Sequence, residues 1–382
     1  YNEKRWANAK SADGSYWVWI PRYAYKIETC YHTSGEDCEA LTGKQAGDID
    51  VKFLKSTTNL TEDSTTIEST GYEAHVKDTS MRHFLHPAFQ FNGEELGFWI
   101  AKFEPTAHEE LFSGALEGSC SEFDNVSNKS PFISPNLTSW RCINVSNAYK
   151  VSLAMKDNPI YGWYSNEVDT HMMKNVEWGA VTYLSKSKYG AHEEEVWNNS
   201  YIDFVTGCSG SSVSAVKETT CVTYETENGL KASTTHNIYG VYDMSGGTAE
   251  RVMANYNNLP ALSGFDQSGL LSLEKKYTTH YYTPPEEMLG GRGMQYNSNI
   301  YGDAIFETSK NANRYDGSVW ENIGSSWNDN MARLPHKGAS WIDRGGNSTV
   351  TDGRFSGIYN FNIGQQGRAH HIYSFRPVLT PL

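Results

Sequence analysis

The 382-residue chain has no run of 18 consecutive apolar residues, so no stretch of it reads as a membrane-spanning helix. It is also poor in charge, at 20% Asp, Glu, Lys and Arg, with 45 acids against 32 bases and no dense basic stripe. Such a chain lacks the electrostatic footprint that neutralises phosphates, which excludes nucleic acid as an expected partner. Cysteine is absent after Cys221, and none of the six cysteines has the C-x2-C spacing of a zinc or redox site. No H-E-x-x-H, nucleophile elbow, phosphate-cradling glycine loop or paired-carboxylate motif occurs, and no internal repeat of fixed period. What is abundant is aromatic and glycine: 24 Tyr, 15 Phe, 11 Trp and 33 Gly. That content can bury a large core and excludes a disordered chain.

The cysteines fall as three local couples, Cys30 with Cys38, Cys120 with Cys142 and Cys208 with Cys221. Many pairings are open to six cysteines. Sequential bridges across the polar stretches between them are the simplest, and they predict an oxidising, extracellular location. The opening Tyr1-Asn2-Glu3-Lys4 carries neither a signal peptide nor an initiator Met. This predicts a mature or truncated ectodomain, with any membrane attachment through a missing N-terminal anchor.

Tyr16 to Ile27 is dense in aromatic and β-branched residues and predicts a strand with Pro21 at an edge or bulge. Gly97 to Glu104 predicts a second strand, ended by Pro105. The Ser-, Thr-, Gly- and acid-rich stretch from Thr29 to Thr79 reads as an elaborated loop, and Asn255 to Lys337 as loop-like. A short helix is predicted from Ser146 to about Met155, stopped by Asn158-Pro159. A second is predicted from Thr170 to Leu184, with Met173, Val176, Ala180, Val181 and Leu184 on one buried face and Gly190 as its stop. No low-complexity linker splits the chain, which favours one domain, 1–382, with long insertions.

Three segments in order carry a family resemblance. They are Lys174 to Ala180 with its Glu177-Trp178 pair, Asn237 to Glu250 (NIYGVYDMSGGTAE), and Gly338-Ala339-Ser340-Trp341 with Arg344-Gly345-Gly346, closed by Ser374-Phe375-Arg376-Pro377-Val378. Together with Glu104 after the early strand, they resemble the formylglycine-generating-enzyme type of the C-type lectin fold. The resemblance implies an α+β fold of short antiparallel strands, few helices and long loop insertions near 30–80, 110–140 and 255–335. In the middle block, Gly240, Gly246 and Gly247 give the backbone freedom for a tight path, Asn237 and Asp243 can tie down loop amides, and Met244 fills a core gap. The block reads as scaffold.

Enzymes of that family oxidise a substrate cysteine with a cysteine pair, or copper held by it, near the C-terminal Arg-Gly-Gly segment. This chain has no cysteine there, and no other side chain replaces a thiolate in that chemistry. The expectation is therefore a non-enzymatic binding protein requiring no cofactor, with an enzyme of the same fold using non-cysteine chemistry, or a structural tip component, as alternatives. The C-terminal segment 338–382 is similar to the variable region of bacterial and phage proteins diversified by retroelements. By that likeness Asn347, Ser348, Thr349, Tyr359, Asn360, Asn362, Arg368, His370, His371 and Tyr373 are the candidate ligand-binding residues. Tyr, Asn, Arg and His offer planar contact groups with hydrogen-bonding tips. Strand alternation in Tyr359-Asn360-Phe361-Asn362 predicts Asn360 and Asn362 outward and assigns Tyr359 to the core side, although the likeness exposes it.

His370 and His371, if in a strand, point to opposite faces and read as surface contacts, not metal ligands. His83 and His86 read as structural. The calcium-and-sugar triplets of animal C-type lectins are absent, leaving a structural calcium ion at most. Asn-x-Ser/Thr triplets stand at Asn59, Asn125, Asn128, Asn136, Asn144, Asn198 and Asn347, glycan sites only in a eukaryotic secreted protein. The expected partner is a protein or glycan on another cell, met from a cell surface, pilus or phage virion.

Overall fold

The computed structural model describes residues 1–27, 49–67, 83–91, 95–108, 120, 125–192, 194–210, 217–281, 302–305, 340–346 and 356–382. Within them the chain is α+β, dominated by short strands in several small sheets with three α-helices. The predicted Tyr16–Ile27 strand divides at its proline. β2 (Tyr16–Pro21) and β3 (Tyr23–Ile27) enter different sheets, because Pro21 has no N–H for a continuing ladder.

The first sheet runs β1 (Asn8–Lys10), β2, β6 (Gly97–Ala101), β17 (Pro377–Pro381) and β9 (Val168–Met172), so the last strand lies at the heart of a sheet begun by the first. Chain ends closed together in this way make the sheet a long-range structure. A second sheet joins β3 to β4 (Ile49–Phe53) and β5 (Phe84–Leu85). Part of the stretch read as an elaborated loop is therefore a paired strand. Two ribbons, β7 (Thr106–Ala107) with β8 (Pro131–Phe132) and β10 (Cys208–Ser209) with β11 (Val222–Thr223), are two residues wide on each side.

The remaining sheet runs β13 (Thr279–Tyr281), β12 (Ala249–Tyr256), β14 (Trp341–Gly346) and β15 (Ser356–Gln365), with β16 (Tyr373–Phe375) alongside β12. The pairs of β12 with β13 and with β16 are parallel, which departs from an all-antiparallel expectation. The stretch from Asn255 that read as loop-like contributes β13 and a short helix, Gln267–Leu271.

Helix α1 covers Val145–Ala154, capped by the Asn144 side chain accepting the Asn147 N–H at 2.8 Å. Helix α2 covers Asn175–Lys186 and so begins five residues after the predicted start. Val168–Met172 pairs residue for residue with β17, and sheet pairing outweighs helical spacing there. The Glu177 carboxylate then accepts the Lys174 N–H at 2.7 Å, fixing where the helix starts. Ser187, not Gly190, caps its end. Met173, Val176, Ala180, Val181 and Leu184 are buried as expected, and so is the rest of α2, which is enclosed on all sides.

Trp178 in α2 is fully buried and donates from its indole to Ile358 O on β15 at 2.7 Å. Trp178→Phe removes both volume and that bond. It is expected to cost about 2–3 kcal/mol, measured by chemical denaturation, with a loss under half that showing that the helix-to-β15 tie is unimportant.

Two disulfides join Cys120 to Cys142 and Cys208 to Cys221, as the local couples predict. Both fit an oxidising environment. Cys30 and Cys38 lie outside the described residues. Among the described residues no helix is long and apolar enough to cross a membrane.

Candidate functional site

The Gly-rich block between Asn237 and Glu250 folds into the scaffold beneath the C-terminal segment. Asn237 accepts the Tyr239 N–H at 2.8 Å, and Asp243 accepts the Gly207 N–H at 3.0 Å and the Asn199 side-chain amide at 2.9 Å. Gly246 and Gly247 both have positive φ, and Met244 is fully buried. The block leads straight into β12, whose Glu250 meets Arg376. The Arg376 guanidinium holds Glu250 bidentately and donates to Ala101 O at 2.8 Å and Tyr242 O at 3.1 Å. One arginine thus ties three parts of the chain.

That arginine faces more than one carboxylate. Glu104 accepts the Thr248 N–H at 2.8 Å, and its own N–H points at Asp243. Burial and the neighbouring Asp243 and Glu250 charges push the Glu104 carboxyl well above its ordinary range. Burial likewise raises Asp243, against the pull of Arg376, and lifts Glu250 to about 7. One guanidinium cannot hold three carboxylates ionised in an apolar interior, so the cluster retains protons. Glu104, Asp243, Glu250 and Arg376 are each at most 2% exposed, which leaves none of them open to a substrate.

On this base stands the segment between β15 and β16. It is a turn, and its carbonyls are held by the surrounding fold. Gln366 O accepts from Leu262 N, Gly367 O from Val145 N, His370 O from Cys142 N and Ile372 O from Ala249 N, at 2.8–3.1 Å. Two buried arginines complete the grip: Arg251 donates to Arg368 O at 2.7 Å and Arg141 to His371 O at 2.8 Å. Their aliphatic and planar parts pack too, Arg251 over the Tyr373 ring at 4.3 Å and Arg141 over Phe204 at 4.2 Å. The Cys120–Cys142 disulfide is attached to the same base through Cys142 N.

Side chains on this held backbone face outward. Arg368 is exposed, and His370 and His371 are half-buried with rings stacked at 4.3 Å. This corrects the expectation that the two histidines point to opposite faces. They lie in a turn, where strand alternation does not apply. Burial, then the charges of His371, Arg368 and Arg251, bring His370 down to about 4, and burial with Arg141 lowers His371. Both imidazoles are therefore neutral near pH 7, each able to donate and accept.

The other candidates separate. Asn360 and Asn362, expected to face outward, are 2% and 9% exposed, and Tyr359 is 2% exposed. Residues 356–362 of β15 are buried, and Trp178 and Thr182 of α2 both donate to Ile358 O. Alternation distinguishes two faces of a strand without saying that either is open. Tyr373 is buried against Arg251 and supports the turn. Asn347, Ser348 and Thr349 lie outside the described residues. Sequence reasoning does not reach Arg141 and Arg251, which stand in mixed local sequence, Thr138-Ser139-Trp140-Arg141-Cys142 and Ala249-Glu250-Arg251-Val252. His83 pairs with Asp50 at 2.8 Å and His86 is fully buried, accepting the Ala88 N–H, so both are structural. Among the described residues no group of three or more His, Cys, Asp or Glu stands where it could hold a metal ion.

Gly367 enters this turn at φ +75°, and a Cβ there would lie 2.7 Å from Ser263 Cβ and 2.8 Å from Trp341 Cδ1. Gly367→Ala is expected to cost about 1–3 kcal/mol. A thermal melt decides it, an unchanged midpoint showing that the turn adapts. No family model and no curated protein matches this chain.

Proposed function

We propose that the chain is a non-enzymatic ligand-binding protein that presents the Arg368–Tyr373 turn, on a scaffold of the formylglycine-generating-enzyme type of C-type lectin fold, to a protein or glycan on another cell. The observation that carries this reading is the division of labour within the turn. Its backbone is fixed by buried donors, while Arg368, His370 and His371 remain available. A contact surface ordered before binding avoids the entropic cost of ordering it on binding.

The sealed acid cluster supports the non-enzymatic side of the reading, since its perturbed carboxyls are explained by burial and bracing. Two disulfides suit an extracellular site of action, whether on a cell surface, a pilus or a virion, and diversification of the C-terminal segment belongs to the same proposal. Amide hydrogen exchange tests the carrying observation. The Cys142, Val145, Ala249 and Tyr373 amides should exchange far more slowly than free chain, while diethyl pyrocarbonate modifies His370 or His371 in the folded protein. Exchange at free-chain rates would mean that the turn is not held in advance, and the reading would fail.

A further inference from the structure

Apart from the turn, a cleft of about 550 Å³ opens beside the sheet edge, bounded by β1, the start of β2, and the loops at 224–225 and 238–239. Its size is that of a small-molecule site. Lys102 stands at its floor, 5% exposed, with its ammonium donating to Asn8 Oδ1 at 2.6 Å and to Ile238 O. Both partners are neutral, and among the described residues no carboxylate pairs with it. Burial without a counter-ion brings its pKa down to about 8. Two of the three ammonium donors are used in these bonds, and the Tyr242 ring centroid lies 6.0 Å from Nζ.

The walls are aromatic. Tyr16, Tyr224 and Tyr239 are half-buried around the floor, and the exposed Lys10 ammonium lies 4.0 Å from the Tyr16 ring centroid. The acid lining the cleft, Glu225, already accepts from the Tyr224 hydroxyl at 2.5 Å. Two lysines and one carboxylate line the cleft, a local excess of one positive charge in a protein of net charge −13. An anion entering here supplies Lys102 with the partner that the fold withholds. Tyrosine faces beside polar tips are suited to the apolar face of a pyranose ring with hydroxyls at its rim.

We propose that this cleft is a binding site for a hexuronic acid residue of an acidic glycan, its carboxylate on Lys102 and Lys10 and its ring against the tyrosines. The site is independent of the Arg368–Tyr373 turn. It is tested by titrating the folded protein with sodium glucuronate, glucose and benzoate, followed by calorimetry and by ligand-observed NMR. Saturable glucuronate binding is expected, with glucose and benzoate each at least tenfold weaker. Lys10→Ala and Tyr239→Ala, both at positions open to the cleft, should each weaken glucuronate at least threefold, and Lys102→Met should abolish it if that variant folds.

An Arg368→Ala/His370→Ala/His371→Ala variant should bind glucuronate as the wild type does, which keeps this site distinct from the turn. Glucose binding equal to glucuronate would overturn the role of the lysines. Benzoate equal to glucuronate would overturn the sugar. No saturable glucuronate binding, or binding unaffected by Lys10→Ala and Tyr239→Ala, would overturn the site.

Discussion

Arg376→Met is expected to destabilise the protein by about 3–5 kcal/mol, the scale for stripping one partner from a buried ion pair. The arginine is fully buried, braces Glu250 bidentately and satisfies the carbonyls of Ala101 and Tyr242. Methionine fills much of the volume and leaves a carboxylate and two carbonyls without their donor. Much of the marginal stability of a typical domain would be removed at one position. Denaturant unfolding monitored by tryptophan fluorescence measures it, and a loss below about 1 kcal/mol would show that the cluster does not brace the fold.

The same cluster fixes the sign of a pH effect. Glu104, Asp243 and Glu250 have folded pKa values above their unfolded ones, so the folded state keeps protons that the unfolded chain releases. Their contribution to stability is fully present below the ordinary carboxylate range. It is lost as pH rises through the folded values, which for Glu250 is about 7. A tenfold difference in proton affinity between the folded and unfolded chain is worth about 1.4 kcal/mol. Glu104→Gln keeps the shape of the neutral acid and should gain stability relative to wild type as pH rises above the ordinary carboxylate range. A difference that shrinks or reverses with rising pH would contradict the protonated cluster.

Arg368→Ala combined with His370→Ala and His371→Ala is expected to weaken ligand binding by about 100-fold. Arginine and stacked ring side chains dominate contact energies, at roughly 1–2 kcal/mol or more for each truncation, and they do not add simply. The melting midpoint should move by no more than about 2 °C, because partly exposed side chains away from caps and cavities contribute little to stability. Asn360 does not belong in this set. It is buried on β15, and its replacement is expected to act on folding.

Some of this is legible in the sequence and some is not. The two helices, the buried face of α2 and the scaffold role of Asn237 to Glu250 are visible because apolar spacing and glycine-rich turns act locally. The Thr170–Met172 stretch reads as helix although it is strand, because its pairing with β17 joins residues far apart in sequence and no local pattern reports such a partner. Asn360 and Asn362 are misplaced by alternation for a related reason: a strand's own pattern contains nothing about what covers it. The contact role proposed for Arg368 and His371 rests on the family likeness and on residue type, whereas the grip of Arg141 and Arg251 on their carbonyls exists only once distant segments meet. The cleft above Lys102 is of the same kind, assembled from segments near 8, 16, 102, 224 and 238.

The central claim is that the Arg368–Tyr373 turn is a rigid contact surface. It is tested most directly by presenting wild type and the Arg368→Ala/His370→Ala/His371→Ala variant side by side to an array of cell-surface glycans and proteins, with melting curves taken on the same samples. A rigid contact surface predicts ligands bound by the wild type and lost by the variant at an unchanged melting midpoint. Ligands held equally by both, or a variant that loses binding only because it has unfolded, would contradict it.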